Sequence, residues 1–185
     1  GKAHGELLAN EIQANVARFL ETSPNVSKEA LAAIPQELRD EMRGVADGAK
    51  VSPEKIESIN LAMASWTGSG QMGAGFGKRT LGGRLLHVFA VESKKLGGPE
   101  PAIFVHHPSD GLRFVRVAYP GLVGAPMGVN EEGISLSILC WPAGEASGVP
   151  LPLHARKVLE ESKSLVSAVQ EASAGELGGT WTAIV

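Results

Sequence analysis

The side chains able to do chemistry in this chain of 185 residues are few and scattered. Five histidines, His4, His87, His106, His107 and His154, are the candidate proton carriers and metal ligands, but none forms an H-x-x-x-H pair. The adjacent His106 and His107 would point to opposite faces of a strand, so no metal site is expected. The single cysteine, Cys140, excludes an internal disulfide and any cysteine-cluster metal site. It shares a strand face with Ile134, Leu136 and Ile138, the setting of an inert buried thiol. Gly68-Ser-Gly70-Gln-Met-Gly73 matches G-x-G-x-x-G literally. A dinucleotide site needs a strand before that pattern and a helix after it, and here the order is reversed. A phosphate loop also fails, because Gly77-Lys78 is followed by Arg79 and Met72 stands where the opening glycine belongs. No cofactor is expected. Asn130, set among Gly121, Gly124, Gly128 and Gly133 before an apolar strand, has two readings. One is a turn with Asn130 in a left-handed conformation; the other is an amide that donates to an oxyanion.

The elements that must position these groups follow from composition and periodicity. Lys and Arg number 17 against 20 Asp and Glu, a net charge of −3, with 43% apolar and 20% charged residues. That suits one globular domain with a real core. With no run of Lys and Arg there is no electrostatic footprint for nucleic acid or an anionic membrane. No apolar run approaches the roughly 20 residues of a membrane span, and the first residues lack both an initiator Met and a signal-peptide stretch. None of this assigns a compartment.

Leu8, Ile12, Val16 and Phe19 mark one face of a helix over about 4–22. Ser27 is placed to cap a short second helix ending before Pro35, and 36–47 a third, with Gly48 as its stop. A fourth begins at Ser52-Pro53 and turns Ile56, Ile59 and Met63 inward. Residues 67–77, with five glycines, read as a loop or irregular strand. Strands are expected at Leu85–Glu92, Ala102–His106, Leu112–Ala118 and Ile134–Trp141, with a hairpin turn at His107-Pro-Ser-Asp-Gly111. A helical pair meeting near Ser162 spans 153–172, and Gly178-Gly179 introduces a last strand that stops without a turn, so the C-terminus is read as incomplete. Helices, strands, a helical pair and a strand in that order predict an α+β fold with layered sheets and helices. The division expected is 1–66, an N-terminal helical segment, and 67–185, the core.

Gly44-Val-Ala-Asp-Gly48, Gly83-Arg-Leu-Leu-His-Val88, His107-Pro-Ser-Asp-Gly111, Tyr119-Pro-Gly-Leu-Val-Gly124, Gly128-Val-Asn-Glu-Glu-Gly133 and Gly148-Val-Pro-Leu-Pro-Leu, in this order, resemble the isopenicillin-N acyltransferase family. That family is related to choloylglycine hydrolases within the N-terminal nucleophile (Ntn) superfamily. The resemblance runs from about His4 to the end. It implies an αββα sandwich and a precursor that cleaves itself before its nucleophile, freeing an α-amino group to act as base. It also implies hydrolysis or transfer of acyl groups on linear amide bonds of small molecules, without a cofactor.

The chain departs from that pattern at two places. Counted back from Phe76-Gly77, the family's cysteine position falls on Gly70, or on Ser69 with one inserted residue. Ser69 is therefore the nucleophile the resemblance allows. The family's Arg-x-x-Asp aligns with Phe89 and Glu92, which keeps the carboxylate and loses the cation. The expected site is Ser69, Glu92 and Asn130 as catalytic residues, with Phe89 and Trp141 against the acyl group. Two alternatives accompany it: a non-catalytic Ntn-fold binding or assembly subunit, and an esterase or lipid hydrolase on the same scaffold. An incomplete sheet would also leave an edge for a strand from a second chain or another copy.

Overall fold

The computed structural model describes residues 1–22, 28–62, 71–77, 80–91, 101–141, 148–178 and 180–185. The first helical stretch is divided, α1 (Lys2–Leu7) and α2 (Ala9–Thr22) meeting at Leu8. Then come α3 (Lys28–Ala33), α4 (Gln36–Ala49) and α5 (Pro53–Ala62). Ser27 and Met63 lie outside the described residues. Ile12, Val16, Leu38, Met42, Val45, Ile56 and Ile59 are buried together, the periodic apolar positions of three helices, α2, α4 and α5, converging on one core.

Gly48 does not stop its helix, contrary to the sequence expectation. α4 continues to Ala49, and Lys50 takes the left-handed conformation that ends it, at φ 58°. Gly48 faces Gly5 instead: a Cβ on Gly48 would lie 2.4 Å from the Lys2 carbonyl oxygen, and one on Gly5 would lie 2.3 Å from that of Val45. Gly1 and Gly5 thus cross Gly44 and Gly48, two pairs of glycines at four-residue spacing that let α1 and α4 approach backbone to backbone.

Strands β1 (Gln71–Phe76) and β2 (Leu86–Val91) pair antiparallel, joined through a 3-10 turn at Leu81–Gly83. The main sheet is antiparallel throughout, in the order β3 (Ala102–His106), β4 (Phe114–Ala118), β5 (Met127–Asn130), β6 (Ser135–Trp141), β9 (Thr180–Ile184). Between β6 and β9 come β7 (Val149–Pro150), α6 (Leu151–Glu161), α7 (Leu165–Ala172) and β8 (Leu177–Gly178), with β7 and β8 paired in parallel. The helical pair breaks at Ser162 as its spacing requires, and Ser164 and Ser167 form a reciprocal cap for α7. Strand β5 was not expected. The chain is α+β, and among the described residues no helix is long and apolar enough to cross a membrane.

The main sheet has two unlike faces. On one, Phe114, Leu136 and Ile138 pack against Leu151, Ala155, Val158 and Leu159 of α6 and Ala168 of α7. The other carries the β1–β2 pair over β6 and β9, Gly73 coming so close that a Cβ there would lie 2.5 Å from Ile184 Cδ1. Beyond the pair, this face is open at Ile103 and Val105, which are 72% and 63% exposed. The α1–α5 core packs at the end of β4, through Ala118, Leu122 and Val123.

The glycine crossing predicts a strong asymmetry. Gly48→Ala should lower the thermal midpoint by the equivalent of about 1–3 kcal/mol or more, because backbone must separate. Gly75→Ala, where a Cβ meets nothing within 4 Å, should leave it nearly unchanged. Thermal unfolding of the two variants beside the parent checks this.

Candidate functional site

The gap between β1–β2 and β6–β9 is bounded by the strands that carry two of the expected residues, Phe89 and Trp141. Gln71 is partnered with Val91. Ser69 stands two residues before the one and Glu92 one residue after the other, and both lie outside the described residues. Phe89 is partnered with Gly73 on β1. The strand's alternation puts it, with His87, on the side of the pair that meets the main sheet. Trp141 ends β6 opposite Thr180, an even number of residues beyond Ser137.

Asn130 is elsewhere. Its amide donates to the carbonyls of Leu159 (3.1 Å) and Ser162 (2.8 Å), and its Oδ1 accepts from the backbone N–H groups of Glu132 (3.1 Å) and Ile134 (2.9 Å). The side chain is buried on the α6 face of the sheet, opposite to the β1–β2 pair. Both amide hydrogens are engaged, and offering one to an oxyanion would require breaking a bond to the α6–α7 junction. The turn reading is also corrected: the left-handed residue is Gly133, at φ 81°, and not Asn130.

Two polar groupings were not foreseen. The first is in the gap: His87 Nδ1 lies 2.9 Å from Ser135 Oγ, and Nε2 lies 2.7 Å from Ser137 Oγ. Burial lowers the His87 pKa, so the imidazole is neutral at pH 7. The only signal for it in the sequence is Ser135 and Ser137 at i and i+2, on one face of an otherwise apolar strand.

The second lies on the α6 face. Arg116 is wholly buried, and it donates from Nε to His106 Nε2 (2.9 Å) and from Nη1 to the carbonyls of Leu122 and Gly124 (2.9 Å each). Its guanidinium carbon lies 4.2 Å from the centre of the Phe104 ring, which itself meets His4 at 4.6 Å. Burial, with Arg156 next, brings the Arg116 pKa down to about 9. Burial and then Arg116 bring His106 to about 3 and His4 to about 4, so both imidazoles are neutral. His4 Nε2 accepts from the Gly121 N–H at 3.2 Å. Arg156 bonds Glu41 at 2.5 Å and Glu160 at 2.9 Å; burial alone would raise the Glu41 pKa, but the guanidinium outweighs it and holds the carboxyl low. These groups carry structure, and two of their atoms, His4 Nδ1 and Arg116 Nη2, are buried with no hydrogen-bond partner among the described residues. Among the described residues no group of three His, Cys, Asp or Glu could hold a metal ion.

No family model matches the chain. It is similar to an uncharacterized protein of Archaeoglobus fulgidus, 26% identical over 231 aligned residues. The match takes in all of this chain and 39% of that protein, so the chain spans well under half the length of this relative.

Because His4 and His106 have folded pKa values below the ordinary 6.5, the unfolded chain binds more protons than the folded one as pH falls below that value. Stability should be full above pH 6.5 and fall as the pH drops toward about 4. Urea midpoints between pH 8 and 4 should show this slope, flatter in His106→Gln. Arg116→Ala should cost roughly 3 kcal/mol or more in the same assay at pH 7, because it leaves two buried carbonyls without donors.

Proposed function

We propose that the chain is the core of an Ntn-type amidohydrolase or acyltransferase of the isopenicillin-N acyltransferase kind, acting on a linear amide bond. The observation that carries this reading is the layering of α6–α7, the five-stranded antiparallel sheet and the β1–β2 pair laid face to face upon it. That order is the one three layers of an αββα sandwich would have. The strand that follows the candidate nucleophile, β1, packs on β6 and β9.

In this reading Ser69 Oγ attacks the amide carbonyl, and the α-amino group freed by cleavage before Ser69 takes the hydroxyl proton. It then gives that proton to the departing amine, and water releases the acyl group by the reverse use of the same base. Glu92 orients the amine, and Phe89 and Trp141 contact the acyl portion. The paired ends of β1 and β2 support this assignment, since Gln71 and Val91 are partners and the two proposed residues are their near neighbours in the chain.

A second reading, a non-catalytic member that keeps the scaffold for binding, is favoured by two observations. Phe89 supplies no cation where the resembling family has arginine, and Asn130 is committed to the α6–α7 junction.

The denatured intact mass of freshly purified protein, with N-terminal sequencing of each species, separates the two. The Ntn reading expects fragments meeting between Gly68 and Ser69, and a single uncut chain in Ser69→Ala. An uncut parent chain of 19.3 kDa supports the binding subunit instead.

A further inference from the structure

The open face of the main sheet is ordered toward the two serines. The register aligns Val105, Val115, Val129 and Ser135 in one row across β3, β4, β5 and β6. The next row is Ile103, Val117, Met127 and Ser137. Three apolar residues lead up to a serine in each row, and His87 bridges both serines at the end. Ile103, Val105 and Val129 are exposed, and the two rows make a contiguous apolar platform of the kind that marks a binding surface. At an interstrand spacing of about 4.8 Å, Val105 stands roughly 14 Å from Ser135.

The two serines differ in access. Ser137 is wholly buried and Ser135 is half-buried at the platform's edge. A nucleophile within hydrogen-bond reach of a base that is itself held by a third group is the arrangement of an activated hydroxyl.

We propose that Ser135, His87 and Ser137 form an ester-cleaving site, with Ser135 as nucleophile, His87 as base and Ser137 as the positioning residue, and that it takes carboxylic esters whose acyl chain lies along the Val129, Val115, Val105 row. The site does not depend on Ser69 or on any cleavage of the chain. His87 Nδ1 accepts from Ser135, and Nε2–H is donated to Ser137. Ser135 Oγ attacks the ester carbonyl carbon as its proton passes to Nδ1. The tetrahedral adduct collapses, the bond to the alcohol oxygen breaks, and the alkoxide leaves with the proton from Nδ1. Water, deprotonated by the same nitrogen, then attacks the acyl-serine and regenerates Ser135 with release of the acid.

Two probes test this on the purified chain: a fluorophosphonate, with the labelled residue located by peptide mass mapping, and 4-nitrophenyl acetate against 4-nitrophenyl octanoate. The label should sit on Ser135, vanish in Ser135→Ala and persist in Ser69→Ala, which separates this site from the Ntn reading. His87→Gln should slow labelling about a hundredfold. The octanoate should be cleaved faster than the acetate, and Val129→Asn should narrow that difference. Labelling should also fall on the acid side at a pH below 6.5, burial being the cause that moves His87. No label, a label on another residue, or labelling and octanoate hydrolysis undiminished in Ser135→Ala overturns the proposal. Ser135 is only half-buried, so that variant remains decisive even where His87→Gln disturbs the contact between the two sheets.

Discussion

One buried guanidinium sets the terms for the rest of the structure. Arg116 is wholly enclosed, and its hydrogen bonds go to an imidazole and two backbone carbonyls rather than to a carboxylate. An ion removed from water must find dipoles of fixed geometry, and the carbonyls of Leu122 and Gly124 supply them only if the chain after β4 folds back over its own strand. That folded segment then becomes the point to which other elements are tied. Asn60 of α5 donates to the Gly121 carbonyl and accepts from the Val123 N–H, and Asn15 of α2 donates to the Pro120 carbonyl. His4 of α1 accepts from Gly121, and Ala125 donates to the Pro152 carbonyl of α6. The helical core and the sheet are therefore joined through a stretch whose shape answers to a single strand residue.

The neutrality of His4 and His106 follows from the same constraint. Burial acts first and the Arg116 charge second, and Glu41, already bonded to Arg156, only partly offsets them. The Phe104 ring face at 4.2 Å and the His106 imidazole at 2.9 Å give the guanidinium an aromatic setting without adding charge. Polar side chains that look reactive in the sequence are, on this face, occupied in holding one cation.

Legibility in the sequence divides along the same lines. Elements whose pattern is periodic were readable: Ile12 and Val16 on α2, Ile56 and Ile59 on α5, the alternation of β4, and the break at Ser162 between α6 and α7. Strand β5 was hidden because Gly128 reads as a turn residue, whereas its role is close approach: a Cβ there would lie 2.8 Å from the Val115 carbonyl oxygen. Gly48 misled for the same reason, its stop-like position at the end of a periodic helix concealing a contact with α1. Neither contact is local, and pattern within one segment carries no information about a backbone arriving from another. The candidate site was legible only as residue types. His87 is 48 residues from Ser135, so only the pairing of two sheets brings them together. Arg116, between Val115 and Val117, looks like an outward polar position of an alternating strand, yet Phe114, Arg116 and Ala118 are the inward set.

The two proposed chemistries differ in when they become available. A nucleophile whose base is its own α-amino group is latent until a peptide bond is cut, so its control is covalent. A serine whose base is an imidazole on a neighbouring sheet needs no cut; it needs the sheets to be docked. His87 reaches β6 from β2, and Gly73 admits the approach by presenting no Cβ to Ile184 and Ser137. The contact that fixes the layer spacing is thus the same contact that sets the distance between hydroxyl and imidazole. Any change that lifts β1–β2 from β6 by an ångström lengthens both bonds to His87 together, because one ring spans both serines. On this surface, packing of the two sheets and activation of the hydroxyl are a single degree of freedom.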